Sequence, residues 1–90
     1  MKKIWTLYII ETVNGKLYTG ITTDLERRFN EHKDGIGAKF LKSNKPKKIV
    51  YSEELENRSL ATKRELQIKK LSRIQKIKLI NNHIEDSLDL

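Results

Sequence analysis

Thr6-Leu7-Tyr8-Ile9-Ile10-Glu11-Thr12-Val13-Asn14-Gly15-Lys16-Leu17-Tyr18-Thr19-Gly20 reads as two strands joined by a tight turn. Residues 3–12 carry apolar side chains at odd and even positions alike, the pattern of a strand covered on both faces. Asn14-Gly15 is a hairpin turn signal, and residues 16–22 return as a second strand. Parity then decides whether the two tyrosines can cooperate. A two-residue loop pairs Val13 with Lys16 and Tyr18 with Glu11, which puts Tyr18 on the face opposite Tyr8. A three-residue loop, Val13-Asn14-Gly15 with a glycine bulge, pairs Thr12 with Lys16, Ile10 with Tyr18 and Tyr8 with Gly20. Both tyrosines then share a face, and the glycine leaves open space beside the Tyr8 ring. A joint site for the tyrosines therefore requires the bulged turn.

Downstream, Thr23-Asp24-Leu25-Glu26 is a capping box that opens a helix to about Lys33. Gly35, Gly37 and Pro46 bracket a loop holding a short helical turn around residues 38–41, and residues 47–53 give a third strand. Ser59 or Asn57 caps a helix reaching about Leu71; Ser72-Arg73-Ile74-Gln75 is a second capping box, opening a last helix to about Asn82. The expected fold is α+β, an α/β sandwich with a small three-stranded, mainly antiparallel sheet flanked by helices in the order β-β-α-β-α-α. Residues 1–83 form one domain, and 84–90 an acidic, frayed tail.

Composition narrows the function. Ninety residues make one small domain, and the chain has no cysteine, which excludes disulfides and thiolate metal sites and suits a reducing, cytoplasmic setting. The apolar run after Lys3 is broken by Thr6 and ends at Glu11, too short for export or a membrane span. The net charge is +7, and Glu85, Asp86 and Asp89 concentrate acid in the last six residues. The body is therefore more basic than the whole, which favours a polyanion such as nucleic acid through counterion release; the alternative is a merely solvating set of lysines. There is no phosphate-binding glycine loop and no dinucleotide fingerprint, so no nucleotide cofactor is expected. His32 and His83 lie 51 positions apart and make no zinc site.

In the first helix Leu25, Arg28, Phe29 and His32 share one face. Leu25 and Phe29 point to the core, so Arg28 and His32 are expected at its margin over the sheet, with Arg27 and Glu31 turned away as a solvated pair. Arg28 there could clamp a phosphate; it could equally be a snorkelling arginine beside a structural histidine. In the later helix Glu65 shares a face with Ala61 and Ile68, close to buried territory where a carboxylate needs a partner. Either it helps hold a cation with waters and substrate phosphates, or it pairs with Arg64, Lys69 or a neighbouring helix.

Taken together these residues resemble the GIY-YIG nuclease domain, especially its small standalone bacterial members, over about residues 3–80. Thr6-Leu7-Tyr8 stands at the first motif, with Thr and Leu replacing Gly and Ile, and Tyr18-Thr19-Gly20 at the second. Residues 24–29 resemble the segment with the catalytic arginine, which is Arg28 here, and His32 matches a position that is histidine in some family nucleases. Arg64-Glu65-Leu66-Gln67-Ile68-Lys69-Lys70-Leu71 resembles the helix supplying the single metal-binding glutamate, Glu65.

The resemblance implies a Mg²⁺- or Mn²⁺-dependent endonuclease. Glu65 holds one divalent ion, Arg28 neutralises the transition state, and Tyr8 acts as base with His32 assisting. Tyr18 positions water or phosphate, the two tyrosine roles being exchangeable, and Gly20 is structural at the site. Lys39, Lys42, Lys45, Lys47 and Lys48 form an expected phosphate-tracking patch. No base-reading element is evident, so the expected partner is DNA, or RNA, chosen by its structure or by a targeting protein, with a place in DNA repair or recombination. The alternative is a non-catalytic nucleic-acid-binding or adaptor domain that keeps the nuclease fold.

Overall fold

A turn sets the register of the whole sheet. The computed structural model describes residues 3–88, with side chains as far as His83. Its elements are β1 (Trp5–Thr12), β2 (Leu17–Thr22), α1 (Leu25–Lys33), α2 (Lys39–Ser43), β3 (Pro46–Leu55), α3 (Arg58–Lys69) and α4 (Arg73–Leu88). Between β1 and β2, the Gly15 amide donates to the Thr12 carbonyl at 3.0 Å, and Gly15 adopts φ 79°, open to glycine at little cost. The Thr12 amide donates to the Lys16 carbonyl at 2.8 Å, so the loop is the three-residue one. Tyr8 accordingly faces Gly20, and Ile10 faces Tyr18.

That turn is tied to the end of α2. Thr12 Oγ1 accepts from the Lys16 amide (2.9 Å) and donates to Asn14 Oδ1 (2.6 Å). Asn14 Nδ2 donates to Asn44 Oδ1 at 2.8 Å, and Asn44 Nδ2 donates to the Phe40 carbonyl at 3.0 Å. The side chain of Asn44 thereby fastens α2 to the hairpin.

The sheet order is β2-β1-β3, with β1 antiparallel to both neighbours. Being central, β1 is buried on both faces, as its continuous apolar run requires. Leu7 and Ile9 pack with Tyr51, Ile68 and Ile80 beneath α3 and α4. Tyr8 and Ile10 pack with Leu41 and with half-buried Leu25, Phe29, Tyr18 and Ile49 beneath α1 and α2. A bulge keeps β3 in step with both layers: Ile9 pairs with Tyr51 but Ile10 with Ile49, leaving Val50 as the extra residue.

The caps differ slightly from expectation. Asp24, not Thr23, caps α1, accepting from the Arg27 amide at 3.0 Å. The Thr22 hydroxyl accepts from the Asp24 amide and so delays the helix start by one residue. Asn57 caps α3 through the Leu60 amide at 2.9 Å. Ser72 and Gln75 form the reciprocal capping box of α4 (3.2 and 2.9 Å). The backbone of α4 runs to Leu88, past the expected end near Asn82, because the apolar spacing Ile77, Ile80, Ile84 continues the helical period. The acidic side chains of Glu85, Asp86 and Asp89 lie outside the described residues.

Asn44 is buried and makes two of the bonds that hold α2. Asn44→Ala is expected to lower the urea midpoint by the equivalent of about 1–2 kcal/mol at unchanged m value. An unaltered midpoint would show that the clasp contributes nothing.

Candidate active site

On the α1/α2 face, three rings meet. Tyr8 lies 6.4 Å from Tyr18 and 6.1 Å from His32, and Tyr18 lies 5.7 Å from His32, centroid to centroid. The Tyr8 ring leans across Gly20 so closely that a Cβ at position 20 would sit 2.5 Å from the hydroxyl oxygen. Glycine is needed there for that approach, not for any unusual backbone angle. The hydroxyl thus stands over β2, the edge strand.

Tyr8 Oη and His32 Nε2 share a hydrogen bond of 2.9 Å. His32 is only 1% exposed and is the buried residue of α1. This corrects the expected marginal position: Gly20 contributes no side chain, so the Tyr8 hydroxyl reaches over it to the enclosed imidazole. Burial foremost, and then the Arg28 charge, push the imidazole pKa below its ordinary 6.5, so the ring is neutral at physiological pH.

Arg28 sits beside the same hydroxyl. Burial, followed by the neighbouring Tyr18, pushes the Tyr8 phenol up to about 12, while Arg28 pulls it down through hydrogen bonding and charge. The guanidinium is held from two sides. Its Nη1 donates to Glu31 Oε1 at 3.0 Å, and a Cβ on Gly37 would come within 2.8 Å of Nη2. Glu31 is therefore not the solvated partner of Arg27 that helical spacing suggested; the Gly37 cradle places Arg28 where it takes that carboxylate. The pairing with Glu31 raises the already high pKa of Arg28, which is a permanent cation.

Gly37 and Phe40 complete the surroundings, and helical or strand period in the sequence points to neither. Gly37 has φ 98° and marks the close approach to Arg28; its only sequence signal is a second glycine just after Gly35. Phe40, 38% exposed, stacks on Tyr18 at 6.1 Å and 17° between planes. Its signal is an aromatic set between Lys39 and Lys42. Those lysines lie in α2, Lys45 lies just before β3, and Lys47 and Lys48 lie at its start. All five are exposed, but Lys48 pairs with Glu11 and shares its face, the one toward α4 and away from the site, which corrects the expected patch.

Glu65 comes from the other layer. It lies on α3 between the fully buried Ala61 and Ile68, with its carboxylate 3.3 Å from Lys69 Nζ. Its charge raises the Tyr8 pKa slightly, so the two groups are electrostatically coupled across the sheet. Arg64 instead pairs with Glu53 at 2.7 Å, which removes it as a partner for Glu65. Tyr8, Tyr18, Arg28 and His32 are thus gathered in one place, while Glu65 reaches them through charge alone.

Among known proteins, the family described as the GIY-YIG catalytic domain matches residues 4–78. The chain belongs to the GIY-YIG family. It is 46% identical over 76 residues to the UPF0213 protein YhbQ of Escherichia coli K12, covering 84% of this chain and 76% of that protein. The solution structure of the UPF0213 protein BH0048 from Bacillus halodurans is similar, with TM-score 0.57 and 35% identity over 87% of this chain and 83% of that one. The solution structure of EF2693 from E. faecalis matches with TM-score 0.61 and 34% identity over 93% of both chains. Membership of this GIY-YIG family supports a nuclease-like function and, with it, a nucleic acid substrate. Among the described residues no helix is long and apolar enough to cross a membrane.

The buried neutral imidazole links stability to pH. Its native pKa lies below the unfolded 6.5, so the unfolded chain binds more protons in that interval. Its contribution is complete above pH 6.5 and is lost as pH falls toward the native value. Chemical denaturation across this range is expected to show an acid limb that shrinks in His32→Gln. An identical limb in both proteins would contradict a buried neutral His32.

Proposed function

We propose that this chain is a divalent-metal-dependent endonuclease that hydrolyses DNA phosphodiester bonds, directed by DNA structure and not by base sequence. The observation that carries the reading is the 2.9 Å bond between Tyr8 and a buried His32, with Arg28 against the same hydroxyl. The proton relay needs the tautomer that carries its proton on Nδ1, a buried nitrogen with no hydrogen-bond partner among the described residues. Nε2 then accepts the Tyr8 proton as the phenol oxygen takes a proton from the attacking water. Tyr18, half-buried beside both, positions that water or the phosphate. Arg28, permanently charged and already oriented by Glu31 and Gly37, stabilises the charge that develops on the phosphate oxygens. Because the acceptor is an imidazole already neutral at physiological pH, cleavage is expected to be level above pH 6.5 and to fall at acid pH, as the ring takes a proton below that value.

The donor set suits only one kind of metal site. No group of three or more His, Cys, Asp or Glu stands together among the described residues, which excludes a site built wholly from such side chains there. A single half-buried carboxylate fits the other arrangement, in which Mg²⁺ or Mn²⁺ keeps several waters and uses substrate phosphates. Glu65 would hold the ion in place of its Lys69 partner. When bound, such an ion supplies Lewis-acid stabilisation of the leaving oxygen. Lys39, Lys42, Lys45 and Lys47, without Lys48, would position the backbone without reading bases, so targeting falls to DNA structure or to a partner protein. A role in DNA repair or recombination suits such an activity.

A non-catalytic nucleic-acid-binding domain is the second reading, and the Glu65–Lys69 pair favours it, since a carboxylate so engaged can be purely structural. One experiment separates the two. Flap, branched, duplex and single-stranded DNA are incubated with the protein in Mg²⁺, in Mn²⁺ and in chelator. Metal-dependent cutting is expected, falling by about 10²–10³ or more in Arg28→Ala and abolished in Glu65→Ala, with DNA binding largely retained. Binding without cleavage of any DNA would leave the non-catalytic reading; full activity in either variant would refute these assignments.

A further inference from the structure

Beside the site, a groove crosses the β2 edge between the starts of α1 and α3. It is lined by Trp5, Thr22, Thr23, Arg27, Arg28 and Arg58, with Glu31 the acid among its lining residues and already committed to Arg28. Arg27 and Arg58 are exposed and make no ion pair among the described residues. The Arg58 guanidinium lies over the Trp5 indole, 5.5 Å from its centroid, and Trp5 is half-buried. Arg27 thus has no ion pair, and Arg58 is engaged only by the Trp5 indole, so a phosphate could draw the Arg58 guanidinium off the ring and leave that face to a base.

The groove is continuous with the candidate site. Arg28 lines it and also acts on the Tyr8 hydroxyl. Arg58 and Glu65, seven positions apart, share a face of α3, about 10 Å apart along its axis. The expected lysine patch is at the opposite end of β1: Glu11 pairs with Lys48 and Thr12 with Pro46, whereas Trp5 pairs with Leu55 and Thr6 with Thr22. Tyr8 therefore stands between a lysine end and an arginine–tryptophan end.

The chemistry of the two ends differs. Lysines track a phosphate backbone of any form. An indole next to two guanidinium groups offers a stacking face for a base and a fork for a phosphate, and a base can use that face only when it is unpaired. We propose that this groove binds the nucleotide flanking the attacked phosphate, with its phosphate between Arg27 and Arg58 and its unpaired base on Trp5. The substrate is then a strand with an unpaired nucleotide beside the cut, a refinement that rests on the nuclease reading above.

Trp5 is the only tryptophan of the chain, so it reports on its own contact. The full chain, in chelator to prevent turnover, is titrated with a labelled single-stranded oligonucleotide and with a blunt duplex. Binding is followed by label anisotropy, and stacking by tryptophan emission. Binding of the single strand is expected to quench Trp5 strongly, and duplex binding is expected to leave its emission nearly unchanged. Arg58→Gln and Trp5→Ala should each weaken single-strand binding about tenfold with little effect on the duplex, and Trp5→Phe should restore most of the loss. Saturated single-strand binding without quenching overturns the proposal, as do equal losses on both DNAs or no binding of either at low salt. Cleavage without such quenching would spare the nuclease reading, and quenching without cleavage of any DNA in metal would spare only this binding site.

Discussion

Tyr8 can lie where it does only because the residue opposite it is Gly20. The ring crosses the strand and puts its hydroxyl in the space that a side chain at position 20 would fill. That pairing depends on a turn of three residues, not two, and the turn depends on Gly15 with its positive φ and on the Thr12–Asn14–Asn44 clasp. Slipping the register by one residue would send Tyr18 to the opposite layer and leave His32 facing a different strand position. A backbone constraint at one end of the hairpin thus governs the chemistry in its middle.

Around that hydroxyl, opposed effects are held in balance. Burial keeps the phenol protonated, and the same burial keeps the imidazole neutral and able to take a proton. Arg28 pulls the phenol the other way, but only because Glu31 and the Gly37 loop hold the guanidinium against it. Removing Glu31 would leave Arg28 with a looser tether and a higher affinity for phosphate, so this carboxylate trades strength of anion binding for position. Glu65, on the far layer, adds a negative charge that the others sense at a distance.

Much of this is legible in the chain. The doubly apolar run of β1, the Asn14-Gly15 turn, and the Ser72–Gln75 box each express a local rule, and each is present in the fold. The shared face of Leu25, Arg28, Phe29 and His32 follows from helical period alone. What periodicity cannot give is rotation about the helix axis, and so His32 is expected at the margin though it is fully enclosed. Nor can it choose between the two neighbours of Glu31, a choice made by Gly37 from a loop nine residues beyond Arg28. The Val50 bulge and the Phe40–Tyr18 stack are likewise long-range outcomes, set by strand pairing and by where α2 docks. The ordered set Tyr8, Tyr18, Gly20, Arg28, His32 and Glu65 makes the family resemblance legible in the chain, and the family match spans residues 4–78.

The central claim is that Tyr8 and His32 act as one proton-accepting pair. A double-mutant cycle on the cleavage rate, with Tyr8→Phe, His32→Gln and the combined variant, measures this directly. Groups that work as a unit lose their function when either is removed, so the combined variant should cleave no more slowly than the worse single one. Rate losses that multiply independently would contradict the pairing and would assign the two residues to separate tasks.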